Sequence, residues 1–279
     1  MSSKIYFSSK SARKPLSYYG IRALSSSMAT LAPALALKHT KKLLLTPVRS
    51  RKREPLPVHF SQSELITDEG KLQLSAVGSG KTIVLTHGWS GSSAQFYPLM
   101  AKIAEAGYRA LAFDHFGHGQ SQGQFANLPL FIKGLKAVLA EVPDAVGVVS
   151  HSMGTVAALN AVKHLPQVLI APTFGFYESF RERILTTGIS ERLFERVLTE
   201  VEQEHEMQFL QLLPEQHLAL QQCKVHAIHD TEDRFAPFQL SAEQARQHTH
   251  FMLTSASQLG HGRIISAEPT WQLIKQQLL

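Results

Sequence analysis

Ser152 is the residue whose neighbours speak most directly of chemistry. It lies in Val149-Ser150-His151-Ser152-Met153-Gly154, between an apolar run that reads as a strand and a stretch that reads as a helix. A serine on such a tight strand-to-helix turn presents its hydroxyl outward, and small residues two before and two after, here Ser150 and Gly154, let the backbone bend without side-chain clashes. A serine hydroxyl attacks a carbonyl only when a base takes its proton and a third group orients the base. His261, in Leu259-Gly260-His261-Gly262-Arg263, is a candidate base, and Asp230, Glu232 and Asp233 follow another apolar run in one short loop. His87-Gly88-Trp89 ends an earlier apolar run. A turn of that kind exposes backbone N–H groups, so the amides of Trp89 and Met153 are the candidates for holding an oxyanion, at ~3 kcal/mol per donor. Among the serine hydrolases, the order serine, acid, histidine along the chain belongs to only one of three unrelated arrangements.

These residues need elements that bring them together. After residue 57 the chain alternates short β-branched runs with helical spacing. Strands are predicted at 82–85, 108–113, 145–149, 168–170, 225–228 and 251–253. Helices are predicted near 94–105, 128–142, 155–164 and 240–247, and from Ile264 onward. Leu128, Ile132, Leu135, Leu139 and Val142 line one side at 3.6 residues per turn. Continuous apolar runs such as Ile83-Val84-Leu85 suit strands covered on both faces. Repeated strand-helix units imply a mostly parallel α/β sheet with helices on both faces, whose chemistry sits in the loops after the strand ends. The interval 172–214 breaks this rhythm and reads as a small helical cap. Phe174, Phe176, Tyr177 and Phe180 there read as packing or as an acyl pocket, and its six glutamates from Glu191 to Glu206 as a solvated helix face.

Over residues 70–279 the sequence resembles the α/β-hydrolase superfamily of serine esterases, lipases and S33-peptidase-like enzymes. The resemblance rests on His87-Gly88-Trp89, on Asp114-His115-Phe116-Gly117-His118-Gly119-Gln120-Ser121, which is similar to the family's D-x-x-G-x-G-x-S turn, on the Ser152 elbow, on Asp233 three residues before Ala236-Pro237, and on His261. It implies the α/β-hydrolase fold, with Ser152 as nucleophile, Asp233 as orienting acid and His261 as general base. Asp230, the rival acid, falls at the strand end, whereas Asp233 occupies the loop position the family keeps. Ser150 departs from the family's usual first glycine, and the resemblance does not reach the first 60 or so residues. The expected activity is hydrolysis of a short to medium acyl carboxylic ester through an acyl-enzyme. Thioester, lysophospholipid and peptide cleavage on the same triad remain alternatives, as does a catalytically idle binding protein of this fold.

No cofactor is expected. There is no phosphate-loop or dinucleotide glycine motif and no H-E-x-x-H, and His226 and His229, three apart on a strand, point to opposite faces. His115, His118 and His151 read as structural or lining residues, and Asp114 as a brace for its glycine-rich turn. The single cysteine, Cys223, excludes an intrachain disulfide and suits a reducing compartment.

The net charge of +6 is unevenly placed. Residues 1–53 hold 12 of the 28 Lys and Arg and no acid, which leaves 16 bases against all 22 acids in the remainder. A body of −6 therefore carries a segment of +12, and nothing in the body suggests a nucleic-acid surface. From Ile21, Leu24, Met28, Leu31 and Leu35 fall on one helical face until Pro33 interrupts it. The uncharged stretch 23–37 is shorter than the ~20 apolar residues that span a bilayer. Three readings stand for residues 1–57, a basic segment ending in the linker 49–57. It rests on an anionic membrane surface, it is a targeting peptide with a signal peptide cleaved at Ala34-Leu35-Ala36 as the variant form, or it packs as a structural helix. The expected location is the cytoplasm, with membrane-surface or organellar placement following from the first two. The hydrolase domain is expected at 58–279.

Overall fold

The structure is a computed structural model, and it describes residues 14–49 and 54–279. Lys4, Lys10, Arg13, Arg51, Lys52 and Arg53 of the basic segment, with most of the linker's charge, lie outside the described residues. The chain divides into two compact units. One contains the described residues up to Thr46 with Gly175–Leu213, and the other contains Pro47–Phe174 with Pro214–Leu279.

The larger unit is built on an eight-stranded sheet. Its strands are β1 (Ser61–Thr67), β2 (Gly70–Val77), β3 (Thr82–Thr86), β4 (Arg109–Phe113), β5 (Ala145–His151), β6 (Gln167–Ile170), β7 (Val225–Asp230) and β8 (Phe251–Ala256). They lie in the order β1-β2-β4-β3-β5-β6-β7-β8, with β1/β2 and β2/β4 antiparallel and the remaining pairs parallel. This is the α/β-hydrolase fold. The sequence reading contains no strand before Thr82, and the physical reason lies at the sheet's edge. β1 is exposed along most of its length, so its residues carry little apolar signal, and its pairing with β2 forms the fold's outer hairpin.

The chain's helices are α1 (Leu16–Leu31), α2 (Pro33–Leu45), α3 (Tyr97–Glu105), α4 (Leu128–Glu141), α5 (Met153–Ala161), α6 (Phe176–Thr186), α7 (Glu191–His205), α8 (Pro214–Ala219), α9 (Phe238–Gln247), α10 (Gly260–Arg263) and α11 (Glu268–Leu278). In the larger unit the period-two alternation of strand side chains splits the core in two. On one face Val168, Ile170 and Ile228 pack with Met100 and Ile103 of α3 and with Leu273 and Ile274 of α11. On the other, Leu169, Val225 and Ala227 pack with Leu159 of α5, Leu218 of α8 and Phe174. Helices therefore cover both faces, which is why the central strands are apolar throughout. Phe174 belongs to this core, edge-on to Phe251, and is not a cap residue.

Arg49 opens the larger unit. Its guanidinium donates to the carbonyls of Gly117 (2.7 Å), Ser121 (3.2 Å) and Gly123 (2.6 Å). A linker arginine thus fastens the glycine-rich turn that follows β4, and Asp114 braces the same turn from within by accepting from the amides of Ser93 (2.7 Å) and Gln120 (2.8 Å).

The smaller unit is helical, comprising α1, α2, α6 and α7. Pro33 ends one helix and starts the next, as a missing N–H at the first turn allows. α1 and α2 both pack on α7. Small residues make that contact close: Ala29, Ala36 and Thr40 are buried, and the Ser25 hydroxyl donates to the Gly188 carbonyl (3.2 Å) while accepting from the Ser190 amide (3.0 Å). Lys41 pairs with Glu200 (3.2 Å) and Glu204 (2.7 Å). Glu202 accepts from the Phe209 amide (2.7 Å), and Glu191 pairs with Arg181, so the glutamate series is not simply a solvated face. Phe176, Tyr177 and Phe180 stack among Phe194 and Phe209. They pack this unit, in line with the packing reading of them.

Candidate active site

Four loops leave the carboxyl ends of β3, β5, β7 and β8, and they carry Trp89, Ser152, Met153, Asp233 and His261. Ser152 follows β5 with φ 53° and ψ −127°, a strained conformation that a non-glycine residue adopts only when its surroundings enforce it. Two glycines enforce it here. A Cβ on Gly154 would come within 2.6 Å of the His87 carbonyl oxygen, and one on Gly88 within 2.6 Å of the Ser152 Cβ. The start of α5 can therefore press against the end of β3 only because both side chains are absent. Ser150, in the place of a further glycine, is fully buried beneath the turn.

His261 comes to this serine from the loop after β8, at the start of α10. Its Nε2 lies 2.9 Å from Ser152 Oγ and its Nδ1 lies 2.7 Å from Asp233 Oδ2. An ionised carboxylate only accepts, so Nδ1 carries the proton and Nε2 is left to accept from the serine hydroxyl. The Asp233 side chain is fully buried, and its Oδ1 accepts from the amides of Phe235 (2.7 Å) and Ala236 (3.1 Å). Burial pushes its carboxyl upward, but hydrogen bonds from His229 and His261 and the backbone amides outweigh that and hold it well below the usual carboxylate range. The three side chains separated by 81 and 28 residues in sequence thus form one chain of hydrogen bonds.

Asp230 is buried at the strand end and does something different. Its Oδ2 accepts from the amides of Leu259 (2.6 Å) and Gly260 (2.9 Å), and its Oδ1 from Glu232 (2.8 Å). These bonds hold its pKa low against the burial that would raise it. The carboxylate grips the two residues immediately before His261.

Two further histidines adjoin the site: His151, read from the sequence as a structural or lining residue, and His229, for which no such place was expected. His229, on β7, has Nε2 3.1 Å from the Ala236 carbonyl and 3.4 Å from Asp233 Oδ2, while Nδ1 lies 2.8 Å from Ser241 Oγ. Both neighbours of Nε2 are acceptors, so Nε2 carries the proton and Nδ1 accepts from the serine. His151 has Nε2 2.9 Å from the His261 carbonyl oxygen, and its ring centroid is 4.8 Å from that of His261. Burial and the neighbouring His261 push its pKa down to about 3. Spacing alone carried no signal for either contact: that of His229 depends on how the chain folds back after β7, and that of His151 on the loop after β8 reaching the end of β5.

A third group lies beneath the His87-Gly88-Trp89 turn. His87 donates from Nδ1 to the Gly88 carbonyl (2.7 Å) and accepts at Nε2 from the His115 amide (3.0 Å). His118 accepts at Nε2 from the Ser90 amide (3.0 Å) and donates from Nδ1 to the Phe116 carbonyl (3.0 Å). Both nitrogens of each ring are committed to a neutral tautomer, and burial lowers the pKa to about 4 for His87 and to about 3 for His118. His115, stacked on Phe131 at 3.8 Å, is lowered for the same reason. These uncharged rings fix the loop that bears Trp89, which is itself 37% exposed. Met153 opens α5, so its amide is among the helix's N-terminal donors that have no intrahelical carbonyl. Among the described residues no group of three or more His, Cys, Asp or Glu is placed to hold a metal ion.

Residues 79–271, well over half of the chain, match the family described as "Serine aminopeptidase, S33". The chain belongs to this family. The S33 match takes in the 87–89 turn, the Ser152 elbow, the Asp233 loop and His261. Among curated proteins, a pimeloyl-[acyl-carrier protein] methyl ester esterase of Xanthomonas campestris pv. campestris is 32% identical over 97 residues, covering 35% of this chain and 37% of that protein. The same-named protein of Shewanella woodyi is 28% identical over 96 residues, covering 34% and 36%. The chain thus spans little more than a third of these curated relatives. Among solved structures, an esterase of Pyrococcus furiosus superposes with TM-score 0.63 at 19% identity, over 85% of this chain and 99% of that one. The thioesterase domain of the curacin biosynthetic pathway gives 0.57 at 16%, over 77% and 99%. Mouse alpha/beta hydrolase domain-containing protein 10 gives 0.55 at 16%, over 77% and 95%. At these identities the likeness concerns the α/β-hydrolase fold.

Proposed function

We propose that this S33-family member is a serine hydrolase that cleaves a carboxylic ester of short to medium acyl length through an acyl-enzyme on Ser152. The observation that carries the proposal is the hydrogen-bonded series Ser152 Oγ, His261 Nε2, His261 Nδ1, Asp233 Oδ2, at 2.9 and 2.7 Å. In the first step Ser152 Oγ adds to the ester carbonyl carbon as His261 Nε2 takes its proton, and Asp233 stabilises the imidazolium. The carbonyl oxygen becomes an oxyanion that the amides of Trp89 and Met153 are assigned to hold. Collapse expels the alkoxide, which leaves with the proton returned by His261 and forms the alcohol. Water then repeats the sequence on the acyl-serine and releases the carboxylic acid. The choice of ester draws support from the methyl ester esterases that share sequence with this chain. Thioester, lysophospholipid and amide cleavage use the same machinery, and the family's aminopeptidase description makes the amide the first alternative to test.

A fluorophosphonate probe should label Ser152 in the folded protein, and a panel of p-nitrophenyl esters, acyl thioesters and aminoacyl amides should show turnover highest for esters of short to medium acyl chains. Absence of labelling would leave a binding protein on a hydrolase fold. Labelling with turnover only of the amides would keep the nucleophile and overturn the ester assignment.

A further inference from the structure

The helical unit turns an apolar, basic face outward for which the catalytic chemistry has no use. On α1 the buried side is narrow, marked by Ala29, with Tyr18, Ser25 and Met28 partly covered. The opposite side carries Leu16 (90% exposed), Tyr19, Leu24 (62%) and Leu31 (83%), separated by Gly20, Ala23 and Ser27. On α2 the buried residues are Ala36, Thr40 and Leu45, and the outer side carries Leu35, Lys38, His39 and Lys42, with Leu43 exposed beside them. Because both helices pack on α7, both turn these sides away from it. The 33 residues from Leu16 to Val48 hold eight of the 14 exposed large apolar side chains among the described residues. They hold no acid and four basic residues, Arg22, Lys38, Lys41 and Lys42, of which Lys41 is paired with Glu200 and Glu204. Isolated exposed leucines need no explanation, but a run of them on two adjoining helices marks a surface that is covered in use.

We infer that the outer face of α1 and α2 docks on an anionic phospholipid surface. Three observations select this occupant. First, the charge is of one sign. A second copy would set like charge against like, which disfavours a symmetric contact through this face. A lipid headgroup layer supplies the opposite sign at every point. Second, on the outer side of α1 the apolar side chains are leucines and one tyrosine spaced by glycine, alanine and serine, a pattern that needs a yielding apolar medium and no fixed register. Third, the helices are of the wrong kind to cross a bilayer: α1, at 16 residues, spans about 24 Å, and no helix among the described residues is long and apolar enough to traverse a membrane. A helix pair in which α1 supplies exposed leucines and α2 supplies Lys38 and Lys42 suits the plane of the interface, with lysines reaching headgroups and leucines entering the acyl boundary. This proposal is independent of the ester assignment, because none of these residues belongs to the site around Ser152.

The test is co-sedimentation of the full chain with vesicles of phosphatidylcholine alone and of equal parts phosphatidylcholine and phosphatidylglycerol. Two double variants accompany it, Lys38→Gln/Lys42→Gln and Leu24→Asp/Leu31→Asp, each checked by thermal melting and by ester turnover on a soluble substrate. The expected result is binding to the anionic vesicles alone, released as salt rises from about 0.1 M to 1 M and the Debye length falls from ~10 Å to ~3 Å. The lysine variant should partition about 30-fold less, roughly fivefold for each basic residue lost near such a surface. The leucine variant should lose a similar factor or more as its two apolar side chains stop entering the lipid. Equal binding to both vesicle types, binding unchanged in the lysine variant, or no binding by the intact chain would each overturn the proposal. So would a dimer of the full chain that the leucine variant converts to monomer, which would give the face to a second copy.

Discussion

The loops around Ser152 and the helix pair α1–α2 manage their polar and apolar groups in opposite ways. Around the serine, each carboxylate and most ring nitrogens meet a specific partner: Asp233 takes two imidazoles and two amides, Asp230 takes three amides, and His87 and His118 each use both nitrogens. Along α1 and α2 only the inner edge is specified, through Ser25, Ala29, Ala36 and Lys41, and the outer side ends in leucine and lysine with no fixed neighbour. A site that must hold atoms to a fraction of an ångström is built from directional bonds on a strained backbone. A surface that meets a fluid partner needs only composition and sign of charge. Substitutions should therefore be felt sharply in the first region and weakly in the second.

The steepest contrast is expected at Ser152, the proposed nucleophile. Ser152→Ala keeps the fold, because alanine fits the elbow that Gly88 and Gly154 allow, and should lower kcat about 10⁴-fold or more. Retention of more than about a hundredth of the rate would remove Ser152 from that role. Next come the two aspartates. Asp233→Asn turns an acceptor toward Nδ1 into a donor or reverses the tautomer of His261, and should cost about 10⁴-fold in kcat. Asp230→Asn leaves Asp233 and His261 paired but sets an amide NH₂ against a backbone N–H, so about a tenfold loss is expected, with stability lowered by about 1.5–3 kcal/mol. The reverse ranking in steady-state kinetics would move the orienting role to Asp230.

Stability should depend on pH through the neutral rings of the site. His87, His118 and His151 have folded pKa values lowered to about 4, 3 and 3, against 6.5 when unfolded. Between those limits the unfolded chain binds more protons than the folded one, so their contribution is complete above pH 6.5 and is lost as pH falls below it. At pH 5.5 the loss is about 1.4 kcal/mol per ring. Asp233, lowered in the folded protein, loses its contribution only at still lower pH. Melting temperature should be level from pH 7 to 8.5 and fall steeply toward pH 5, whereas a flat profile across that interval would show that the rings are not held neutral. The weakest effects belong to the outer side of the helix pair. Leu24→Ala and Leu31→Ala should each change unfolding free energy by less than about 0.5 kcal/mol, as exposed substitutions do. Ala29→Leu, on the buried side of the same helix, should cost about 1–3 kcal/mol by overpacking. Equal costs on both sides in chemical denaturation would remove the distinction between them.

The order and period of the sequence were enough to place the parallel strands, the helices between them and the loops that carry Ser152, Asp233 and His261. The reason is that strands covered on both faces must be apolar throughout, and a serine elbow needs its small neighbours wherever it occurs. β1 was illegible because an edge strand buries little and so imposes little on its residues, whereas β2, which buries Leu72 and Leu74 between β1 and β4, was missed despite that burial. The roles of Asp230, His151 and His229 were equally hidden. Their partners are 29 and 30, 110, and 4 residues away: those of Asp230 are aligned by the register of β7 with β8, that of His151 by the loop after β8 meeting the end of β5, and that of His229 by the return of the chain after β7. For the basic segment, composition announced a charged surface, but the spacing of Ile21, Leu24, Met28 and Leu31, which a structural helix was expected to bury, pointed to the wrong side: Ile21, Leu24 and Leu31 are exposed and Ala29 is buried. Packing of α1 and α2 against α7 decided that, because burial is a property of neighbours, and those neighbours lie some 160 residues farther along the chain.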